Sequence, residues 1–153
     1  MIKRVTDPEE FKRATNDIFD LLNADAKENP WHQLLPNDRE SFINAFAHKS
    51  LLAFDVFAWA NLNSENKYDA AIVFVRHRNE RYGKEFFSEH TWLSANPKMG
   101  FKLFAKAIKF ARENGFKYIS MGCSVKSPNA ETVKKFYKKM GFLKDTETYI
   151  AEL

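Results

Sequence analysis

Between Leu51 and Leu93 the chain passes through three strand-like segments with nothing between them long enough to be a helix. Leu51–Ala60 and Tyr68–His77 are rich in β-branched and aromatic residues, and the polar run Asn61, Leu62, Asn63, Ser64, Glu65, Asn66 joins them as a hairpin loop. Arg78–Gly83 is a second short turn, and Glu85–Leu93 a third strand. Parallel neighbours need a crossover of about a dozen residues or more, so these three segments pair as an antiparallel meander.

The period of the pattern then changes. Gly100–Asn114 sets Phe101, Phe104, Ile108 and Ala111 on one helical face and Lys102, Lys106, Lys109 and Glu113 on the other, with Gly115 as its C-terminal cap. Lys117–Cys123 reads as a short strand. Ser127 and Pro128 open another helix, with an inner face of Val133, Phe136 or Tyr137, and Met140; Gly141 closes it, and a final strand lies within Thr146–Leu153. Ahead of the meander, Asp7, Pro8, Glu9 and Glu10 form a capped helix start, and Phe11, Ala14, Ile18 and Leu21 recur at helical spacing to about Asn23. Asn37 or Asp38 caps a second helix carrying Phe42, Ile43 and Phe46. The order β α α β β β α β α β predicts an α/β (α+β) fold: a mixed central sheet, antiparallel first and crossing over later, with helices on both faces.

At 153 residues the expectation is a single domain spanning 1–153. Fifteen Phe, five Tyr and three Trp point to a core dominated by aromatic packing. Cys123 is the only cysteine, which excludes an internal disulfide and a cysteine-built zinc site. Its predicted role is that of a small buried apolar side chain. His32, His48, His77 and His90 lack metal-ligand spacing, so no metal is expected. No apolar run approaches about 18 residues and the start lacks a signal-peptide core, so a soluble, cytoplasmic protein is expected.

The net charge of +4 is unevenly spread. From Lys98 to Lys144 there are twelve Lys or Arg against two acids, Glu113 and Glu131, leaving the rest of the chain at −6. A basic C-terminal third suits a polyanionic partner, either a phosphate-bearing cofactor or nucleic acid.

The run FYKKMGF, Phe136–Phe142, closes a helix, and ENGFKYISM, Glu113–Met121, joins a basic helix to a strand. Together with the element order, these residues resemble the C-terminal half of the GCN5-related N-acetyltransferase superfamily. The resemblance implies that Glu85–Leu93 and Lys117–Cys123 are adjacent parallel strands that splay apart. Acetyl-CoA, as cosubstrate, is then expected to thread its pantetheine arm between them. Its pyrophosphate would sit at the N-terminus of the basic helix, placed near Gly100, where unpaired N–H groups and the helix dipole favour an anion.

Residues implied to bind the cofactor are Leu93, Ser94, Ala95, Lys98, Met99, Gly100, Phe101, Lys102, Asn129 and Tyr137. The family's loop has the form Q/R-x-x-G-x-G/A; with Gly100 as its second glycine, Ala95 stands at the Gln or Arg position and Lys98 at the first glycine. Such compact loops are similar to those of small phage-type members. Counting back from Tyr137, the family's cofactor-binding Asn falls on Ala130, one residue beyond Asn129; capping or turn roles for Ser127 and Asn129 are the alternative.

For catalysis the resemblance implies Tyr137 as the acid that protonates the departing thiolate, and a carboxylate on the preceding strand, Glu89 or Glu85, as the base, with His90 a third candidate. Backbone N–H groups near Leu93 and Ser94 would polarise the thioester carbonyl. The expected activity is acetyl transfer from acetyl-CoA to a primary amine, on a small molecule or protein, by direct attack in a ternary complex. Two alternatives stand beside it: a fold-only interaction protein that has lost its cofactor, motivated by Ala95 and Lys98, and a nucleic-acid binder using the basic third, where lysines alternate with Phe and Tyr. Acceptor choice is expected to involve Trp31, His32, Gln33 and Leu34, with the acidic remainder of the chain compatible with a cationic amine. Phe54, Phe57 and Trp59 could face either the core or a partner in a homodimer.

Overall fold

The structure, a computed structural model, describes residues 1–26, 38–44, 55–122 and 130–144. The chain divides into two compact units, Met1–Gly122 and Cys123–Leu153.

The first unit holds a five-stranded sheet in the order β1-β2-β3-β4-β5. Its strands are β1 (Ile2–Val5), β2 (Val56–Leu62), β3 (Tyr68–Asn79), β4 (Lys84–Ser94) and β5 (Tyr118–Ser120). β1 to β4 pair antiparallel, and β4 pairs with β5 in parallel. The helices are α1 (Pro8–Ala26), a short α2 over 39–44, and α3 (Pro97–Glu113), which makes the crossover from β4 to β5. The mixed sheet with helices on both faces is the architecture expected from the sequence.

Alternation along the strands decides what each face packs against. On β2, Ala58 and Ala60 point to the α1 side, where they meet Phe11, Ala14 and Ile18 together with Ala71 and Val73 of β3. Phe57 and Trp59 point the other way and are buried beside Phe110 of α3, with ring centroids 5.1 and 5.2 Å away. Phe74 and Phe87 stack at 4.1 Å with planes 8° apart on this same face, and neither is exposed. Phe57 and Trp59 therefore face the core. β1, α1 and β3 are also tied by polar contacts: Lys3 pairs with Glu10, whose carboxylate accepts the buried Tyr68 hydroxyl at 2.6 Å. Those contacts raise Lys3 and lower Glu10 from their ordinary pKa values, while Tyr68 is raised chiefly by burial.

Several boundaries differ from the sequence reading. α1 runs three residues past Asn23, and Asn61 and Leu62 belong to β2 rather than to the loop. Asp38 caps α2, its carboxylate accepting the Ser41 N–H at 2.6 Å. α3 begins at Pro97, three residues before Gly100, because Asn96 is an N-cap and Pro97 fills the first helical position. β5 is shorter than Lys117–Cys123. At the end of α3, Gly115 takes φ +78° and the Phe116 N–H returns to the Ala111 carbonyl, the expected glycine cap.

The second unit contributes α4 (Ala130–Lys139). Gly141, at φ +82°, ends it with the Phe142 N–H on the Tyr137 carbonyl at 3.0 Å. Val133, Phe136 and Tyr137 are half-buried as an inner face should be, whereas Met140, one residue past the helix, is 48% exposed. Among the described residues no helix is long and apolar enough to cross a membrane. Trp31–Leu34, Phe46, Phe54, Cys123, Ser127, Asn129 and the expected last strand lie outside the described residues.

Candidate functional site

The two parallel strands stay together for only three residues. Pairing joins Phe86 to Tyr118, Phe87 to Ile119 and Ser88 to Ser120. β4 then runs on through Glu89 to Ser94 while β5 ends at Ser120, which leaves an opening past the end of the parallel ladder. A bulge sits at the same point: Phe74 opposes Glu89 and Val73 opposes Thr91, which inserts His90 as one extra residue in β4. Bulges re-aim the side chains that follow. Phe87 faces α3 before the bulge, and Trp92 faces it after, stacking on Phe104 at 5.6 Å.

Glu89 occupies the mouth of this opening. Its carboxylate is half-buried, and Oε2 accepts a hydrogen bond from the Gly122 N–H at 2.8 Å, across the parted strands. Burial raises its pKa above the ordinary value, and the Gly122 bond pulls the other way. Glu85 is different. It is exposed, opposes Arg78 on β3 and lies four residues back along the strand, about 13 Å away. The two candidate bases are therefore not brought together, and only Glu89 reaches the opening. His90 is exposed within the bulge.

Ser94 and Asn96, rather than glycines, organise the start of α3. The Ser94 hydroxyl donates to the Asn96 carbonyl at 2.6 Å and accepts the Asn96 N–H at 3.2 Å. The Asn96 side chain accepts the Lys98 N–H at 2.9 Å, while Met99 and Gly100 donate to the Asn96 carbonyl. These donors are thus engaged within the turn. Asn96 was missed as a site residue; Asn-Pro ahead of an apolar periodic run is the signal that finds it. Ala95 donates to the Asp69 carbonyl at 3.0 Å, and Leu93 is a half-buried edge of the α1-side core.

Gly100 is buried against the sheet. A Cβ there would lie 3.3 Å from both the Trp92 indole nitrogen and Ser94 Cβ, so its small size lets α3 settle on β4. Lys98 and Lys102 are exposed on the first turns of α3, Met99 is half-buried, and Phe101 meets Trp92 edge-on at 6.0 Å. In the second unit the Tyr137 ring packs on Phe142 at 5.2 Å and Phe136 at 6.0 Å.

Solved structures decide what this arrangement is similar to. An aminoglycoside acetyltransferase from an uncultured soil metagenomic sample superposes over all of this chain and 97% of its own, with TM-score 0.68 and 11% identity. A ribosomal-protein-alanine N-acetyltransferase from Brucella melitensis biovar Abortus 2308 matches over 100% and 98%, with TM-score 0.64 and 11% identity. The chain has the GCN5-related N-acetyltransferase fold. A protein described as a transcriptional regulator from Bacillus halodurans C-125 is similar to this chain to the same degree, with TM-score 0.69, 16% identity and coverage of 100% and 99%. No family model matches the chain, and no curated protein sequence matches it. In this acetyltransferase fold, the opening beyond Ser88 and the first turn of α3 lie at consecutive parts of β4 and its crossover.

Proposed function

We propose that the chain is an acyl-CoA-dependent N-acetyltransferase, working as one domain, that transfers acetyl from acetyl-CoA to a primary amine in a ternary complex. The observation that carries this reading is the parting of β4 from β5 after Ser88, with the half-buried Glu89 carboxylate at its mouth. The edge of β4 from Glu89 to Ser94 suits an amide-bearing arm that pairs as a strand does, and Lys98 and Lys102 suit its phosphates. Acetyl-CoA would supply the activated acyl group as a thioester. Leu93, Ser94, Ala95, Met99, Gly100, Phe101, Asn129 and Tyr137 complete the proposed cofactor contacts.

An amine of pKa about 10 arrives as ammonium and cannot attack until it loses a proton. Glu89 takes that proton, directly or through water, and its raised pKa brings it nearer the amine's own. Tyr137 supplies the proton needed by the departing thiolate, since a phenol stays protonated at neutral pH. Backbone N–H groups near Leu93 and Ser94 polarise the acyl carbonyl. The acceptors named for two structural neighbours, an aminoglycoside and a ribosomal-protein alanine, are both amines. With the acidic remainder of this chain, they support a cationic amine acceptor.

The test is steady-state turnover with acetyl-CoA against a panel of polyamines, amino sugars and lysine peptides. Tyr137→Phe should lower kcat at least tenfold with little change in the dissociation constant for acetyl-CoA. Lost binding with kcat intact would assign Tyr137 to structure.

The second reading, an interaction protein that has lost its cofactor, rests on Ala95 and Lys98 at the family loop's Gln or Arg and first-glycine positions. Failure of acetyl-CoA to bind the wild-type chain would select it.

A further inference from the structure

Gly122 has no need of glycine's backbone freedom, because its φ is not among the positive values taken by Gly83, Gly115 and Gly141. What it does have is a neighbour. A Cβ at position 122 would lie 3.1 Å from Glu89 Oε2, closer than a carboxylate oxygen ordinarily tolerates, and among the described residues no other atom comes within 4 Å of it. The Gly122 N–H donates to that same oxygen at 2.8 Å. Both facts have one geometric origin: the parallel ladder of β4 and β5 runs from Phe86/Tyr118 to Ser88/Ser120, and just beyond it the Glu89 side chain reaches the Gly122 backbone.

We propose that Gly122 is a positioning residue for Glu89, its N–H holding Oε2 at the mouth of the β4/β5 opening and its missing side chain giving the carboxylate room. The inference rests on the reading of Glu89 as the base, and extends it to the group that fixes where the base points. Phe74 opposes Glu89 on β3, and Gly122 is its contact beyond β5. Among the described residues no charged side chain enters the balance on this carboxyl, which is set by burial and by the Gly122 N–H. The N–H favours the ionised form and burial the neutral one. Displacing the carboxylate from Gly122 therefore moves its titration upward.

Two NMR titrations test this without acetyl-CoA or an acceptor. In the wild type, the Gly122 amide resonance should shift with pH at the midpoint of the Glu89 side-chain carboxyl carbon, and Glu89→Gln should abolish that shift. In Gly122→Ala, the Glu89 midpoint should rise by about half to one pH unit, the scale of a weakened hydrogen bond to a charged group. A Gly122 amide indifferent to Glu89, or a midpoint that stays or falls in Gly122→Ala, overturns the proposal. Should Gly122→Ala fail to fold, the wild-type and Glu89→Gln amide titrations decide alone. An inactive wild type with the linked titration intact would sink the catalytic reading and leave the positioning contact standing.

Discussion

Glu89 carries a cost when it is ionised. Burial raises its pKa, so the folded chain holds this proton to higher pH than the unfolded chain does. The associated stability is fully present below the ordinary carboxylate value of 4.5 and is lost as pH rises through the raised value. Glutamine keeps an acceptor for Gly122 and has no charge to desolvate. The wild-type Tm measured relative to Glu89→Gln should therefore fall as pH rises from 4.5 through the raised value, and parallel curves would contradict the assignment. The same substitution should cut turnover by about 10²–10⁴-fold, the usual range for removing a general base. A carboxylate that weakens the fold at neutral pH yet is indispensable for turnover is what a functional origin predicts. Its position on the third strand was readable from sequence, as were its apolar neighbours Phe87 and Trp92. Its partner was not, because Gly122 is 33 residues away and the contact depends on where the parallel pairing stops.

At the scale of elements, the crossover from β4 to α3 is held by Ser94, Asn96 and Gly100. Asn96→Ala removes the acceptor of the Lys98 N–H and should cost about 1 kcal/mol. Gly100→Ala forces a methyl to within 3.3 Å of the Trp92 indole nitrogen and should cost about 1–3 kcal/mol by overpacking, with a change in tryptophan emission. Urea denaturation followed by fluorescence checks both. An emission spectrum unchanged in Gly100→Ala would contradict the close approach. This element was partly legible. Periodicity locates the face of α3, including Phe104 and Ala111, but starts the helix three residues late because the apolar repeat begins only at Phe101. Asn96 and Pro97 already spelled a cap and a first turn. Polarity alone assigns Asn61 to the loop, yet it is 4% exposed on β2 and donates to Asp69 at 2.7 Å. A buried amide with a carboxylate partner carries no apolar signature, so alternation alone could not find it.

For the whole molecule, the switch from meander to crossover was the most legible feature, since short connections compel antiparallel pairing and long helical ones permit a parallel strand. The reading as one domain predicts a single cooperative calorimetric transition, with calorimetric and van't Hoff enthalpies equal. Two resolved transitions would instead make Met1–Gly122 and Cys123–Leu153 independent folding units. Charge distribution was legible too, but charge does not distinguish a cofactor's phosphates from nucleic acid, and the fold does not decide function. The most direct test of the central claim is a thermal-shift titration with acetyl-CoA, with CoA and a simple adenosine nucleotide as controls. At about 100 times the dissociation constant, binding adds about 2.7 kcal/mol and should raise Tm by several degrees, with acetyl-CoA well above the nucleotide. No shift, or an equal shift with every polyanion, would contradict a working cofactor site between β4 and β5.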